Sequence, residues 1–163
     1  MGTEEIQEKI SSKFGDCVSN FEMKYDILTF ESTPDSNLKI LQFCKEEMNY
    51  DFLVDLTAVH YPENENRELA VVYMLQNIRT SSRIRFKVFV PISKPDVFTA
   101  CNIFLTANWL EREAYDFFGI NFVGHPNLIR IMNVDEMDYF PLRKEYALED
   151  QTRIDKDDEM FGR

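Results

Sequence analysis

The sequence predicts an α+β domain, in which helices pack on a mixed β-sheet, followed by an extended C-terminal tail. Three observations lead to this fold class. Some segments repeat apolar residues at every third or fourth position, as helices with one buried face do, and others at every second position, as half-buried strands do. Helical and strand-like segments are interspersed without strict alternation, an order that favours a mixed sheet. Neither period continues after Met132.

The N-terminal third is predicted to form a helix, a strand and a second helix. The first helix begins at Thr3, which suits a helix cap, and is closed by Gly15. Apolar and polar residues then alternate through 21–31, which favours one strand. Pro34 begins the second helix, whose apolar stripe ends at Asn49.

Three further strands are predicted in the middle of the chain, at 51–61, 69–75 and 83–90. In the last of them the even-numbered residues are apolar and the odd-numbered ones mostly basic, so we expect one buried and one polar face. A helix is predicted next, because Ser93 suits a cap and Pro95 suits a first turn. Its buried face would consist of Val97, Ala100, Cys101 and Phe104.

The segment NWLEREAYDFFG predicts another helix, from Asn108 to Gly119. Asn108 as cap and Glu111 three residues later have the spacing of a capping box, and Gly119 suits the left-handed residue that ends a helix. At about 100° per residue, apolar side chains share one face of this helix. Arg112 and Asp116 fall on another face, together with Glu113 and next to Trp109. The helix is therefore expected to have a core side and a dense charged side.

Composition excludes several classes of function. The formal net charge of −11 argues against a nucleic-acid partner, since phosphate binding needs clustered Lys and Arg. No apolar run reaches the roughly 18 residues that a membrane span needs, and the acidic N-terminus lacks the apolar core of a signal peptide. We therefore expect a cytoplasmic protein without a direct membrane span. Three cysteines far apart, without a CxxC pair, predict reduced buried thiols rather than a zinc site or an iron–sulfur cluster.

One group of carboxylate and imidazole side chains is dense enough to suggest chemistry: Glu111, Glu113, Asp116 and His125. A dimetal carboxylate site would need Glu-x-x-His pairs on facing helices. This chain offers one helix, on which Glu111 and Glu113 lie roughly 160° apart. A stand-alone carboxylate metalloenzyme is thus an alternative of another class, and neither a nucleophile motif nor a phosphate-binding loop accompanies it.

Two other interpretations of the charged side remain open. It can be a solvated helix face with an Arg112–Asp116 pair, which contributes roughly 0.3 kcal/mol when exposed. It can instead be a contact surface, because Trp109 and Tyr115 lie beside the charges, and aromatic residues with Arg are typical of interfaces.

The stretch ANWLEREAYDFFGINFVGHPNL, with PLRKEYAL eight residues after Met132, resembles the signature of the 30-kDa subunit family of respiratory complex I, known in bacteria as the C subunit of NADH-quinone oxidoreductase. The pattern is Glu-Arg-Glu, two residues, an acidic residue, two apolar residues, six residues and His. It is met in order by Glu111, Arg112, Glu113, Asp116, Phe117, Phe118 and His125. FLVDLTAVHYP and ELAVVYMLQNIRTSSRIRFKVFVP also resemble the family, so the likeness spans roughly 50–148.

The resemblance implies a non-redox structural and assembly subunit in the peripheral arm of a proton-translocating NADH:quinone oxidoreductase. Such a subunit packs against the 49-kDa-like D subunit near the quinone site, on the cytoplasmic side of the plasma membrane. It is part of an enzyme, a translocase, but has no catalytic centre, cofactor or metal of its own. NAD, FMN, the iron–sulfur clusters and quinone belong to partner subunits.

The loss of periodicity after Met132, with aromatic residues spaced through a polar segment, divides the chain into an α+β domain at 1–132 and an extended docking tail at 133–163, for which a disordered terminus is the alternative. The resemblance implies a partner interface made of Trp109, Glu111, Arg112, Glu113, Asp116, His125, Arg130, Pro141, Leu142, Arg143 and Lys144. The chain departs from the family pattern at Ile129, where a basic residue is usual, and before Pro141, where a Gly and a His are missing. The equivalent subunit of a membrane-bound energy-converting hydrogenase, or of a related complex, is the nearest alternative.

Overall fold

A five-stranded mixed sheet organises the protein, which a computed structural model describes for residues 2–146. Its strands, in the spatial order β1-β2-β5-β4-β3, are β1 (Val18–Lys24), β2 (Ile27–Ser32), β3 (Phe52–His60), β4 (Leu69–Gln76) and β5 (Arg83–Val90). The β2–β5 pair is parallel and the other three pairs are antiparallel. The helices of the described residues are α1 (Thr3–Phe14), α2 (Asn37–Glu46) and α3 (Ala107–Phe118). The predicted α+β class is confirmed.

Two further short strands form a separate small sheet next to α3. They are β6 (Asp96–Phe98) and β7 (Asn121–Val123), which pair in parallel. None of the helices in residues 2–146 combines the length and the apolar composition that crossing a bilayer demands.

The single strand predicted over 21–31 is wrong, because the chain forms a hairpin there. Lys24 of β1 pairs with Ile27 of β2, and the two residues between them, Tyr25 and Asp26, have φ of 54° and 59°. A two-residue turn with both φ values positive matches the right-handed twist of the strands it joins. Such a turn changes the parity of the positions that share a face: Met23 pairs with Leu28, so the buried residues of β2, Leu28 and Phe30, are even-numbered, whereas the apolar residues just before the turn are odd-numbered. The alternation of residues 21–27 runs through the turn and hides this change.

The helix predicted from Ser93 is also wrong. The chain is extended through β6 and then turns repeatedly until α3 begins. Val97 of β6 pairs with Phe122 of β7, and Asn121 donates its backbone N–H to the Pro95 carbonyl at 2.8 Å. The four apolar residues expected on a buried helix face are nevertheless buried. The conformation of this segment is decided by pairing with a strand more than twenty residues away in the sequence. The spacing of apolar residues within the segment does not report such a distant partner.

The core lies between the sheet and the three helices. In β5 the apolar even-numbered residues are buried and the basic odd-numbered ones are not, as predicted. Phe86 stacks between two rings of neighbouring strands, at 5.4 Å from Phe30 and 4.7 Å from Tyr73. Two of the cysteines, Cys44 and Cys101, are buried free thiols as predicted, whereas Cys17 is half-buried.

Removing the ring of Phe86 tests the importance of this stack. We expect Phe86→Ala to lower the free energy of unfolding by about 3–5 kcal/mol, because a fully buried ring leaves a cavity. Phe52→Ala is the matched control, since Phe52 is exposed at the edge of the sheet, and we expect less than about 1 kcal/mol there. Urea unfolding measures both, and similar losses for the two variants would contradict the assignment.

Candidate functional site

Helix α3 carries most of the predicted functional residues, and its two ends differ in how well they were predicted. The helix begins at Ala107 after Thr106, without a side-chain cap, so the predicted Asn108–Glu111 capping box is wrong. The C-terminal end is as predicted. Gly119 takes the left-handed conformation at φ 75° and donates its N–H to the Tyr115 carbonyl at 2.8 Å.

Glu111 points into the core rather than toward the helix N-terminus. It is completely buried, and its carboxylate accepts hydrogen bonds from the Thr99 hydroxyl at 2.5 Å and the Ala100 N–H at 2.6 Å. The Cys101 thiol lies 3.5 Å from the same carboxylate. Burial raises the pKa of Glu111 against the lowering effect of these donors. Glu111 therefore fastens the turn after β6 to α3 from inside.

Asp116 is also completely buried, but it is surrounded by donors. One carboxylate oxygen accepts the backbone N–H groups of Ile131, Met132 and Asn133 at 3.1, 2.8 and 2.9 Å. The other accepts Nη1 of Arg130 at 2.6 Å. Burial alone would raise the pKa of Asp116, yet the backbone amides and the guanidinium together hold it well below its usual range.

Arg130 completes this buried ion pair and extends it along the chain. Its side chain is 9% exposed, and it also donates to the carbonyls of Asp116, Met137 and Tyr139 at 3.0, 2.7 and 3.1 Å. The guanidinium lies over the Phe140 ring, 5.4 Å from the centroid. One arginine thus ties α3 to the segment after Met132.

Arg112 does not form the pair with Asp116 that helical spacing suggested. Its Nε and Nη2 donate to the carbonyls of Ile129 and Arg130 at 3.1 and 3.0 Å. The predicted charged face of Arg112, Glu113 and Asp116 therefore divides. Asp116 lies in the interior, Arg112 is half-buried against the following segment, and Glu113 is exposed.

Arg143 fixes the same segment at the end of α3. Its Nε donates to the Phe118 carbonyl at 2.7 Å, and the guanidinium lies 4.6 Å from the centroid of Phe140. A Cβ on Gly119 would stand 2.5 Å from the Phe140 ring and 2.6 Å from an Arg143 nitrogen. A glycine is thus required here twice, by its positive φ and by this close approach.

The neighbours of Arg143 continue the contact toward the sheet. Leu142 donates its N–H to the Phe117 carbonyl at 3.2 Å, and Lys144 donates its N–H to Nδ1 of His60 at 2.9 Å. Burial lowers the pKa of His60, which suits a neutral ring that accepts this bond. Leu142 and the Lys144 side chain are exposed, while Pro141 is half-buried.

Three ligand-type side chains come within reach of one ion in the described residues. Cys101, Glu111 and His125 each offer an atom within 4.8 Å of the others. Burial raises the pKa of the Cys101 thiol to about 11 and also raises that of Glu111, which opposes the deprotonated forms that bind metals. Both His125 nitrogens are engaged, Nε2 with the Asn108 carbonyl at 3.1 Å and Nδ1 with the Asn127 N–H at 3.0 Å. This cluster fits a hydrogen-bonded core better than a metal centre.

The carboxylates proposed for a stand-alone metalloenzyme do not meet in one place. Glu113 faces solvent, opposite the buried Glu111, and the Asp116 oxygens already accept four donors. His125 lies at a hydrogen-bonded corner next to the start of α3. The geometry therefore supports a structural role, in which these side chains hydrogen-bond to neighbouring backbone segments, and does not support a shared catalytic group.

Several residues of this site were missed by sequence reasoning: Thr99, Ala100, His60 and Phe140. Each contacts a partner that is eleven or more positions away in the sequence, or lies in an irregular segment. None of the four belongs to a helical or strand-like repeat of apolar residues. Phe140 carries no signal beyond its aromatic ring, although it lies between two arginines. The run of three amides bound by Asp116 has no side-chain signature at all, because any residue but proline supplies an N–H.

The profile of the family described as "Respiratory-chain NADH dehydrogenase, 30 Kd subunit" matches residues 30–152. This chain belongs to that family. It is 37% identical over 145 residues to the NADH-quinone oxidoreductase C subunit of Geotalea uraniireducens, with 89% of this chain and 88% of the relative covered. It is 36% identical over 159 residues to the corresponding C subunit of Dinoroseobacter shibae, with 96% and 73% covered.

Two solved structures share the fold. A trypsin-resistant fragment of Nqo5 superposes with a TM-score of 0.66 at 30% identity, covering 78% of this chain and all of the fragment. A chain of the membrane-bound sulfane sulfur reductase, an archaeal respiratory membrane complex, superposes with a TM-score of 0.76 at 26% identity, covering 89% and 85%.

The ion pair of Asp116 should dominate the acid sensitivity of the fold. Because the folded-state pKa of this carboxyl is depressed, its stabilisation is present above the unfolded pKa of about 3.9 and is lost as the pH falls through the folded value. We expect Asp116→Asn to lower the free energy of unfolding at pH 7 by about 3–5 kcal/mol, since Arg130 is left unpaired. Urea unfolding of the unsubstituted chain at pH 7 and pH 3 measures the loss of stability in acid. Urea unfolding of both chains at pH 7 measures the loss caused by Asp116→Asn. Glu113→Gln, exposed on the same helix, should change stability by less than about 0.5 kcal/mol.

Glu111 should show the opposite pH dependence. Its folded-state pKa is raised, so its contribution is present below the unfolded pKa of about 4.3 and declines as the pH rises through the folded value. We expect the stability of Glu111→Gln relative to the unsubstituted chain to improve as the pH rises above the unfolded value of about 4.3. A difference that does not vary with pH in urea unfolding would show that the carboxyl is ionised throughout.

Proposed function

We propose that this chain is a non-redox structural subunit in the peripheral arm of a proton-translocating NADH:quinone oxidoreductase. In this proposal it packs against the 49-kDa-like D subunit near the quinone site, on the cytoplasmic side of the membrane. NAD, FMN, the iron–sulfur clusters and quinone are bound by the partner subunits. Membership of the 30-kDa family supports the proposal, since the relatives reported above are named as the C subunit of an NADH-quinone oxidoreductase.

The observation that carries the proposal is a group of large exposed apolar side chains around α3. We call this group the apolar rim: Leu105, Trp109, Ile129, Met132 and Val134, which are 83, 59, 50, 69 and 63% exposed. The last three belong to the segment that Arg112 and Asp116 tie to α3. Exposed apolar side chains of this size, gathered in one region, are typical of protein contact surfaces.

The predicted interface residues divide into two roles on this view. Trp109, Glu113, Leu142 and Lys144 are exposed and are proposed to contact the partner. Glu111, Arg112, Asp116, His125, Arg130 and Arg143 bond within the chain and are proposed to hold the contact surface in position, with Pro141 in the same segment. A rigid surface loses little conformational freedom on binding, which favours affinity.

The division into a domain at 1–132 and a docking tail at 133–163 remains part of the proposal. Residues 133–146 bond to α3 and to His60 in the isolated chain. The prediction for 147–163 lies outside the described residues. In the proposal, the part of the tail that contacts α3 extends the apolar rim through the exposed Leu142 and Tyr146.

A second candidate is the equivalent subunit of another membrane-bound respiratory complex. The similarity to a chain of the sulfane sulfur reductase complex supports this alternative. Mass spectrometry of the proteins that co-purify with the tagged chain separates the two candidates. A 49-kDa-like quinone-site subunit supports the first, and a large subunit with nickel-binding cysteines, or one of a sulfur-reducing complex, supports the second.

Truncation of Trp109 tests the contact role of the apolar rim. We expect Trp109→Ala to weaken binding of the tagged chain to the 49-kDa-like subunit by about 30-fold or more, because central aromatic anchors typically contribute at least about 2 kcal/mol. Binding is measured by surface plasmon resonance and stability by urea unfolding. Tyr25→Ala is the control, since Tyr25 is an aromatic residue that is 85% exposed in the β1–β2 turn. Unchanged binding of Trp109→Ala, or equal losses for both variants, would overturn the contact role.

A further inference from the structure

The ring of Phe140 lies where the segment after Met132 meets the end of α3. Two guanidinium groups lie over this ring, that of Arg130 at 5.4 Å and that of Arg143 at 4.6 Å from the centroid. The ring is half-buried, and the Tyr115 ring of α3 approaches it edge-on, with 6.2 Å between the centroids. One aromatic side chain is therefore shared by two cations.

The two cations bind different residues of α3. Arg130 donates to the Asp116 carboxylate at 2.6 Å, and Arg143 donates to the Phe118 carbonyl at 2.7 Å. The face of an aromatic ring carries partial negative charge and attracts a guanidinium, most strongly where water is partly excluded. Phe140 thus supports both of these bonds to the helix from one position.

The position of Arg130 affects the segment that carries half of the apolar rim. Arg130 balances the charge of Asp116, whose other oxygen accepts the backbone N–H groups of 131–133. Met132 of the apolar rim is the second of these three donors, and Val134 follows the last of them in the chain. A side chain that fixes Arg130 therefore also fixes the backbone that presents these rim residues.

The Phe140 ring also packs directly on Gly119, the residue that ends α3. A Cβ on that glycine would stand 2.5 Å from Cε2 and 2.8 Å from Cδ2 of the ring. An aliphatic side chain could fill part of the same space, but it has no face that attracts cations. The contact with the two arginines therefore depends on an aromatic side chain at position 140 and not on apolar volume alone.

We propose that Phe140 is a positioning residue for the apolar rim. Its ring holds Arg130 and Arg143 together at the end of α3, and it thereby keeps the backbone of 131–133 bound to Asp116. The rim is thus shaped in the free chain, before any partner arrives. The benefit for partner binding rests on the proposed function, whereas the positioning itself is a property of the chain alone.

Amide hydrogen exchange in the full chain, followed by NMR, tests the positioning. We expect Phe140→Leu to speed the exchange of the amides of 131–133 by about 5-fold or more, because losing a cation–π contact at a partly buried ring favours local opening by about that factor. The amides in the middle of α2 serve as the reference for global unfolding and should keep their exchange rates. Unchanged exchange at 131–133 would overturn the proposal.

Two further variants separate the aromatic face from the loss of bulk. Phe140→Tyr keeps the face of the ring and should retain the slow exchange of 131–133. Tyr146→Leu removes another ring of the same segment, which is 41% exposed and lies 5.0 Å from the Tyr139 ring, and it should also retain the slow exchange. Fast exchange at 131–133 in either variant would contradict a specific role for the ring face of Phe140.

A double-mutant cycle tests whether the two arginines act together through the ring. In the described part of the chain, the Arg143 side chain forms no hydrogen bond with 131–133. We nevertheless expect Arg143→Gln to speed the exchange of 131–133, and to do so much less in a Phe140→Leu background, because the ring transmits the effect. Equal effects of Arg143→Gln in the two backgrounds would overturn the shared role of the ring. These measurements use the free chain, so their failure is distinct from a failure of the binding test on Trp109→Ala.

Discussion

The buried carboxylate of Asp116 is the constraint on which the candidate site depends. A single oxygen accepts three successive backbone N–H groups, from Ile131 to Asn133, while the other is paired with Arg130. An ionised carboxylate can be buried only when such donors replace its water. Because the donors come from one irregular segment, the same bonds that keep Asp116 ionised also shape that segment against α3. Ile129, Met132 and Val134 of the apolar rim lie in or next to this segment.

The two buried carboxylates of α3 illustrate how environment decides the state of similar groups. Asp116 is surrounded by a guanidinium and three amides, which hold its pKa low, whereas burial prevails at Glu111 and raises the pKa there. Glu111 bonds to Thr99 and Ala100, so each carboxylate fastens a different neighbouring segment to the helix. The twelve-residue helix α3 thereby holds both the segment that precedes it and the segment that follows it. Its acidic groups have a structural rather than a catalytic role.

Much of the fold was accessible from the sequence, and the failures have physical causes. The predicted alternation in β5 and the predicted apolar stripe of α2 are present in the structure, because each pattern records which face of its element is buried. The region after Ser93 was assigned to the wrong element, since pairing with β7 overrides a plausible helix start. The hairpin at Tyr25 was missed because the alternation of residues 21–27 runs through the turn and hides the change of parity that begins at Leu28. Local propensity is decisive only where no distant strand competes.

The order of the residues was enough to predict the α+β class, the end of α3 at Gly119 and, through the spacing of the Glu-Arg-Glu and His motif, the 30-kDa subunit family. The exposure of the charged residues of α3 could be read only from the folded chain, in which Glu111 and Asp116 lie inside. Helical geometry gives the angle of each side chain around the axis. It does not say which segments cover the helix, and a carboxylate is exposed or buried according to the donors that distant parts of the chain bring to it.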